Sequence, residues 1–132
     1  MIDLDHFKNI NDTYGHGVGD DVIHRVGATI RAGCRPYDVA CRFGGDEFGV
    51  ILAQSDNACA VQISKRILNE INKIKIRSGG DEIDVLCSGG LASATEMPIG
   101  FEPADLLKAA DEALYRAKSE GRNRLAIGSS SA

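Results

Sequence analysis

The sequence predicts an α/β sandwich: a mixed central β-sheet flanked by helices. Three observations carry that expectation. Helical and strand-like apolar periods alternate along the 132 residues, as packed layers of helix on sheet require. Gly44 and Gly45 stand between the apolar runs Val39-Ala40-Cys41 and Val50-Ile51-Leu52. Glycines tolerate the positive φ of a tight hairpin turn, so part of the sheet is antiparallel. Neither an internal repeat nor a linker divides the chain, and its length suits one domain.

Taken in order, Met1-Ile2-Asp3-Leu4-Asp5 reads as the end of a strand, with Asp3 and Asp5 on one face by the two-residue period. Residues 6–12 have the character of a short helix, broken by Tyr14-Gly15-His16-Gly17. A longer helix is expected over about 20–32, where Val22, Val26 and Ile30 recur at four-residue spacing beside Ile23, with Gly33 placed to stop it. After the hairpin, Ser55 or Asp56 caps a helix whose apolar stripe is Ala60, Ile63, Ile67, Ile71 and Ile74. Ser78-Gly79-Gly80-Asp81 is a turn, and 83–94 reads as one long strand that Gly89-Gly90 weakens or bends. Pro103 and Asp105 suit the first turn of a last helix, Gly121 its exit, and Leu107, Ala110, Leu114 and Ala117 its core face. A strand over 124–127 closes a domain of residues 1–128, leaving 129–132 as a flexible tail.

Composition narrows the function. The formal net charge is −4 with no basic block, which argues against a nucleic-acid partner. Neither an apolar run near the ~20 residues of a membrane span nor a secretory leader is visible. A cytoplasmic domain without membrane contact is the expectation. Cys34, Cys41, Cys59 and Cys87 lack metal-site or CxxC spacing and read as buried free thiols. His6, His16 and His24 form no ligand set.

The chemistry concentrates in Arg42-Phe43-Gly44-Gly45-Asp46-Glu47-Phe48. A backbone without side chains can approach a phosphate closely, and adjacent carboxylates can hold the cation that a phosphate brings. Alone, the Gly-Gly-Asp-Glu run reads equally as a polar hairpin tip. The acids of the first strand tilt the reading. If that strand lies beside the hairpin, Asp3 and Asp46 converge, and two carboxylates about 4 Å apart repel by roughly 4 kcal/mol at an effective dielectric of ~20. A hard divalent cation with oxygen ligands is the natural compensation.

The run from Asp3-Leu4-Asp5-His6-Phe7-Lys8-Asn9-Ile10-Asn11-Asp12-Thr13-Tyr14-Gly15-His16 through Gly19-Asp20 and the Gly-Gly-Asp-Glu-Phe turn closely resembles the GGDEF domain of diguanylate cyclases. So does Ala110-Asp111-Glu112-Ala113-Leu114-Tyr115-Arg116-Ala117-Lys118, followed by Gly121-Arg122-Asn123-Arg124. The resemblance implies a palm-like nucleotide-cyclase core with the Gly-Gly hairpin at its active edge. It implies condensation of two GTP molecules into cyclic di-GMP with loss of two pyrophosphates, helped by Mg²⁺ or Mn²⁺, two per site. Asp3, Asp46 and the carbonyl of Leu4 then hold metal, and Glu47 activates the attacking hydroxyl or steadies a second ion. Asn11 and Asp20 match positions that read the guanine edge, where a carboxylate accepts from N1–H and the exocyclic amine. Phe7 walls the base pocket, Gly44 and Gly45 line the phosphates, and Lys8, Lys118 and Arg122 bind them. For Asn11 the alternative is a helix-end residue, for Asp20 an N-cap, for Phe7 a core aromatic, and for Lys118 and Arg122 a complement to the helix dipole.

Arg35-Pro36-Tyr37-Asp38 stands where many such domains carry an RxxD product-inhibition site, whose guanidinium binds phosphate or a guanine face and whose carboxylate accepts from the base edge, and Arg66 matches the family's secondary arginine. Its plain alternative is a turn with a surface ion pair. The sequence starts almost at Asp3, so the helix that precedes this point in the family is expected in a longer parent, together with a sensor or dimerising module. Two active sites must meet for the reaction, which makes a homodimer part of the expected mechanism. A non-catalytic module that senses GTP or cyclic di-GMP is the second reading. Gly89, where the family has a bulkier apolar residue, reads as a packing change.

Overall fold

The computed structural model describes residues 1–129. Strand β1 (Ile2–Leu4) leads through His6, which takes a left-handed φ of 57°, into α1 (Phe7–Tyr14), and α2 (His16–Gly33) follows at once. The hairpin is β2 (Val39–Gly44) and β3 (Glu47–Ile51). Then come α3 (Asn57–Asn72), a second hairpin of β4 (Lys75–Ser78) and β5 (Asp81–Asp84), β6 (Cys87–Leu91), a single 3₁₀ turn, α4 (Pro103–Ser119) and β7 (Leu125–Ile127). The main sheet runs β2-β3-β1-β6-β7. Its first four strands pair antiparallel, and β6 pairs with β7 in parallel. It is the mixed sheet that the alternation of periods and the glycine hairpin predict. Of the expected tail, Ser129 is exposed and 130–132 lie outside the described residues.

One sheet face carries the main core. Ile2, Leu4 and Phe48 meet Val22, Val26 and Ile30 of α2 and Ile63, Ile67, Leu68 and Ile71 of α3. Gly33 does more than end α2: a Cβ there would fall 2.6 Å from Ile67 Cγ1, so it lets α3 lie close. Asp56 caps α3 by accepting from Cys59 N at 2.7 Å. At α4, Glu102 and Asp105 form a capping box beside Pro103.

Several expectations are corrected. The long strand over 83–94 is two strands in two sheets: β5 belongs to the β4–β5 hairpin, which Ile76 and Ile83 pin into the core. Ile74 therefore lies beyond the end of α3. Helix α2 starts at His16, with Gly15 at φ 90° as the only break, so Asp20 is an interior helical residue and not an N-cap. Leu107 is 41% exposed, and the inner face of α4 is Ala113, Leu114 and Ala117. Of the thiols only Cys87 is buried, its pKa pushed up to about 12 by that burial; Cys41 is exposed.

The β6 ladder runs unbroken through the Gly89-Gly90 pair, Gly89 opposite Ile2 and Leu125 and Gly90 opposite Ala126. Successive residues face opposite sides of a sheet, and each of these faces a different helix. A Cβ at Gly90 would stand 2.2 Å from Ala110 O and 2.3 Å from Leu114 N, so α4 rests directly on the strand backbone. At Gly89 it would meet only the side-chain ends of Leu125 and Leu68, both at 3.1 Å. Gly90→Ala is therefore expected to destabilise the domain by about 1–3 kcal/mol, and Gly89→Ala by clearly less. Urea unfolding of the two variants measures the difference.

Candidate active site

Asp3 is the middle residue of β1. Its neighbours Ile2 and Leu4 are buried in the core, so the strand period turns Asp3 to the opposite face, toward α4. Across the ladder it pairs with Glu47 on β3 and Ser88 on β6. The turn between β2 and β3 is made by Gly45 and Asp46, with a register shift between Arg42 and Gly44. Gly44 and Gly45 hold φ values of 146° and 49°, which side chains rarely adopt. The Asp46 carbonyl accepts from Leu4 N at 3.1 Å, fixing the turn against the end of β1.

The expected convergence of Asp3 and Asp46 is therefore present. The Asp46 pKa is raised above the ordinary carboxylate value, first by burial and next by the negative charge of Asp3. Glu47 is raised too, by burial and then by Asp111 and Asp3. Lys118, from the last turn of α4, donates to Asp3 Oδ2. The second oxygen, Asp3 Oδ1, is buried and has no hydrogen-bond partner. A buried, unpartnered carboxylate oxygen beside a second acid is chemically suited to a divalent cation. Among the described residues no set of three or more His, Cys, Asp or Glu is gathered to hold a metal unaided. The protein donors thus fit an ion that shares its remaining positions with phosphate oxygens, water or backbone carbonyls.

Asp5 shares that face of the sheet but is committed elsewhere. It is buried, accepting from Ser88 Oγ at 2.7 Å and from Asn123 N at 2.9 Å. Arg122 sits in the exposed turn after α4, at φ 62°.

A second group forms where α1 meets α2. Gly19 is buried, and a Cβ on it would fall 1.8 Å from Asn11 Oδ1 and 3.3 Å from Phe7 Cζ. Phe7 and Asn11 thus converge over bare backbone, with Asp20 exposed alongside and Lys8 exposed on α1. Gly19 shapes this crevice. Sequence reasoning assigned it no role, although its place between two recognised positions was a usable signal.

The Arg35–Asp38 pair is a closed unit. Asp38 accepts from Arg35 N at 2.7 Å, Arg35 Nε at 3.1 Å, Arg35 Nη2 at 3.0 Å and Ala53 N at 3.1 Å, and its side chain is 0% exposed. The Arg35 hydrogen bonds hold the Asp38 pKa below the ordinary value. Arg35 Nη2 also donates to Ala53 O and Ser55 Oγ, and the guanidinium lies 4.8 Å from the Tyr37 ring centroid. Arg66 donates to Gly33 O at 2.8 Å, so it caps the end of α2 beside this turn. A cleft of about 600 Å³ opens here between α2 and the hairpin, lined in part by Arg31, Arg35, Arg42 and Phe48.

The family model described as diguanylate cyclase, GGDEF domain, matches residues 1–124. Diguanylate cyclase A of Treponema denticola is 40% identical over 128 residues, covering 96% of this chain and 34% of that protein. The response regulator PleD of Caulobacter vibrioides is 40% identical over 126 residues, covering 93% and 27%. The chain thus spans about a third or less of these curated relatives. Among solved structures, the GGDEF domain of DgcB from Caulobacter crescentus in complex with c-di-GMP superposes with a TM-score of 0.87 at 33% identity, over 96% of this chain and 74% of that one. Diguanylate cyclase SiaD of Pseudomonas aeruginosa, solved with its activator SiaC, gives a TM-score of 0.89 at 31% identity, over 96% and 48%. By the family model that matches nearly its whole length and by these identities and superpositions, the chain belongs to the diguanylate cyclase GGDEF domain family.

Proposed function

We propose that this domain condenses two GTP molecules into cyclic di-GMP, releasing two pyrophosphates. The observation that carries the reading is the meeting of Asp3, Asp46 and Lys118 at the glycine turn, with Asp3 Oδ1 buried and unpartnered. The overlap with relatives named diguanylate cyclases supports it. Asp3, Asp46 and the Leu4 carbonyl would hold Mg²⁺ or Mn²⁺. When bound, the ion neutralises phosphate charge, lowers the pKa of the attacking 3′-hydroxyl and steadies the leaving pyrophosphate.

The chain's own residues do the rest. Gly44 and Gly45 let the turn backbone approach the phosphates. Glu47, whose raised pKa brings it nearer to a hydroxyl proton's needs, faces the same side as Asp3 and is the candidate base. Asn11 and Asp20 read the guanine edge while Phe7 supports the ring. Lys8, Lys118 and Arg122 meet the triphosphate. One domain offers one such site, and the reaction joins two nucleotides, so two copies must face each other. Fused to a dimerising helix and given GTP and Mg²⁺, the chain is expected to yield cyclic di-GMP by mass spectrometry, and Asp46→Asn none. Absence of product while GTP still binds would instead favour a nucleotide-sensing module.

The Arg35 site is proposed to take the cyclic product. Asp38 does not take the expected base-edge role: its oxygens are filled by Arg35 and the Ala53 N–H, so it holds the guanidinium still. Arg35 presents its remaining edge to phosphate or a guanine face, and Arg66 stands on the adjoining helix. Arg35→Ala is expected to remove high-affinity cyclic di-GMP binding in calorimetry. Unchanged affinity would show that the product binds elsewhere.

A further inference from the structure

The turn after α4 contains two consecutive non-glycine residues in the left-handed region, Arg122 at φ 62° and Asn123 at φ 48°. Side chains disfavour that conformation, and it persists only where surrounding structure imposes it. Backbone and neighbouring bonds restrain the turn: Arg122 N donates to Ala117 O at 3.0 Å, Arg124 Nε to Arg122 O at 3.1 Å, and Gly89 N of β6 to Arg124 O at 2.9 Å. Asn72 Nδ2 donates to Asn123 Oδ1 at 2.8 Å. The acid that grips the turn backbone is Asp5, through Asn123 N at 2.9 Å, and it reaches the turn from a distant part of the chain.

Asp5 is an unusual group to bury. Its exposure is 6%, and among the described residues no Lys or Arg pairs with it. Its other oxygen accepts from the hydroxyl of Ser88, which is 0% exposed. A carboxylate accepts and never donates, so both of its oxygens suit these two donors. An Asn of the same shape would turn an NH₂ toward one of them, leaving two donors face to face.

We propose that Asp5 is a positioning residue that clamps the left-handed Arg122-Asn123 turn, so that Arg122 is presented to the nucleotide's phosphates. This rests on the phosphate role given to Arg122 above. It assigns Asp5, the residue just after β1, a task distinct from that of Asp3, although the two are separated by one residue. Asp3 faces the cation; Asp5 fixes the arm that reaches the phosphates.

The test is a binding cycle with 3′-deoxy-GTP, which lacks the attacking hydroxyl and cannot condense. Asp5→Asn is expected to weaken binding about tenfold, the scale of losing a charge-assisted hydrogen bond. Arg122→Ala should weaken it similarly. The double variant should be no weaker than either single one, because both act through the same guanidinium. Binding of guanosine, which has no phosphate, and of Mn²⁺ alone should be unchanged in Asp5→Asn, a result that general loosening of the fold would not give. Losses that add in the double variant, or full affinity in Asp5→Asn beside a weakened Arg122→Ala, overturn the clamp. Full affinity in Arg122→Ala overturns the phosphate role of Arg122 and the clamp with it. If Asp5→Asn fails to fold, Ser88→Ala carries the same cycle, since it removes the hydroxyl that orients the carboxylate. A loss confined to the Arg122-containing background supports the proposal, and no loss overturns it.

Discussion

Asp3 and Asp46 face each other where β1 meets the β2–β3 turn, and their repulsion sets the terms for everything around them. Burial strips away water that would screen them, so ionising both acids together is costly. The fold answers in two ways. It raises the Asp46 pKa, so that ionising this acid is disfavoured, and it sets the Lys118 ammonium on Asp3. One oxygen is left buried and unanswered. The site is thus arranged for one more positive charge than the chain itself supplies.

That arrangement depends on packing some distance away. Lys118 reaches Asp3 only because α4 lies flat on β6, and α4 lies there only because Gly90 has no side chain. From Leu114, which touches the Gly90 position, one helical turn of about 6 Å leads to Lys118. The turn that follows carries Arg122, tied back to β1 through Asp5. Strand β1 is therefore central twice over: it stands in the middle of the sheet, and its end ties down both neighbours, Leu4 N holding the hairpin turn and Asp5, the next residue, holding the exit of the last helix.

Much of this was legible in the sequence. The Gly44-Gly45 hairpin, the α3 stripe and the Pro103 start of α4 follow from local rules, because backbone freedom and apolar period act over a few residues. The meeting of Asp3 with Asp46 was legible too, once two acidic clusters were seen to need a shared counter-charge. What escaped was set by contacts distant in sequence. Nothing local shows that Asp5 is committed to Ser88 and Asn123, or that Gly90 seats a helix. The break between β5 and β6 escaped for the same reason, since an apolar run does not say which sheet takes each half. The RxxD turn was recognisable as a motif, but the enclosure of Asp38 by Arg35 and the Ala53 backbone was not.

The most direct test of the account is thermal melting of the chain and its Asp46→Asn variant at neutral pH, with and without Mg²⁺. An acid whose folded pKa is raised lends its stability at low pH and loses it as pH rises through the raised value. Removing its charge should therefore help the metal-free fold. The account predicts that Asp46→Asn melts above the parent without metal, and that Mg²⁺ raises the parent alone. A variant that melts lower without metal, or an equal Mg²⁺ shift in both proteins, would contradict it.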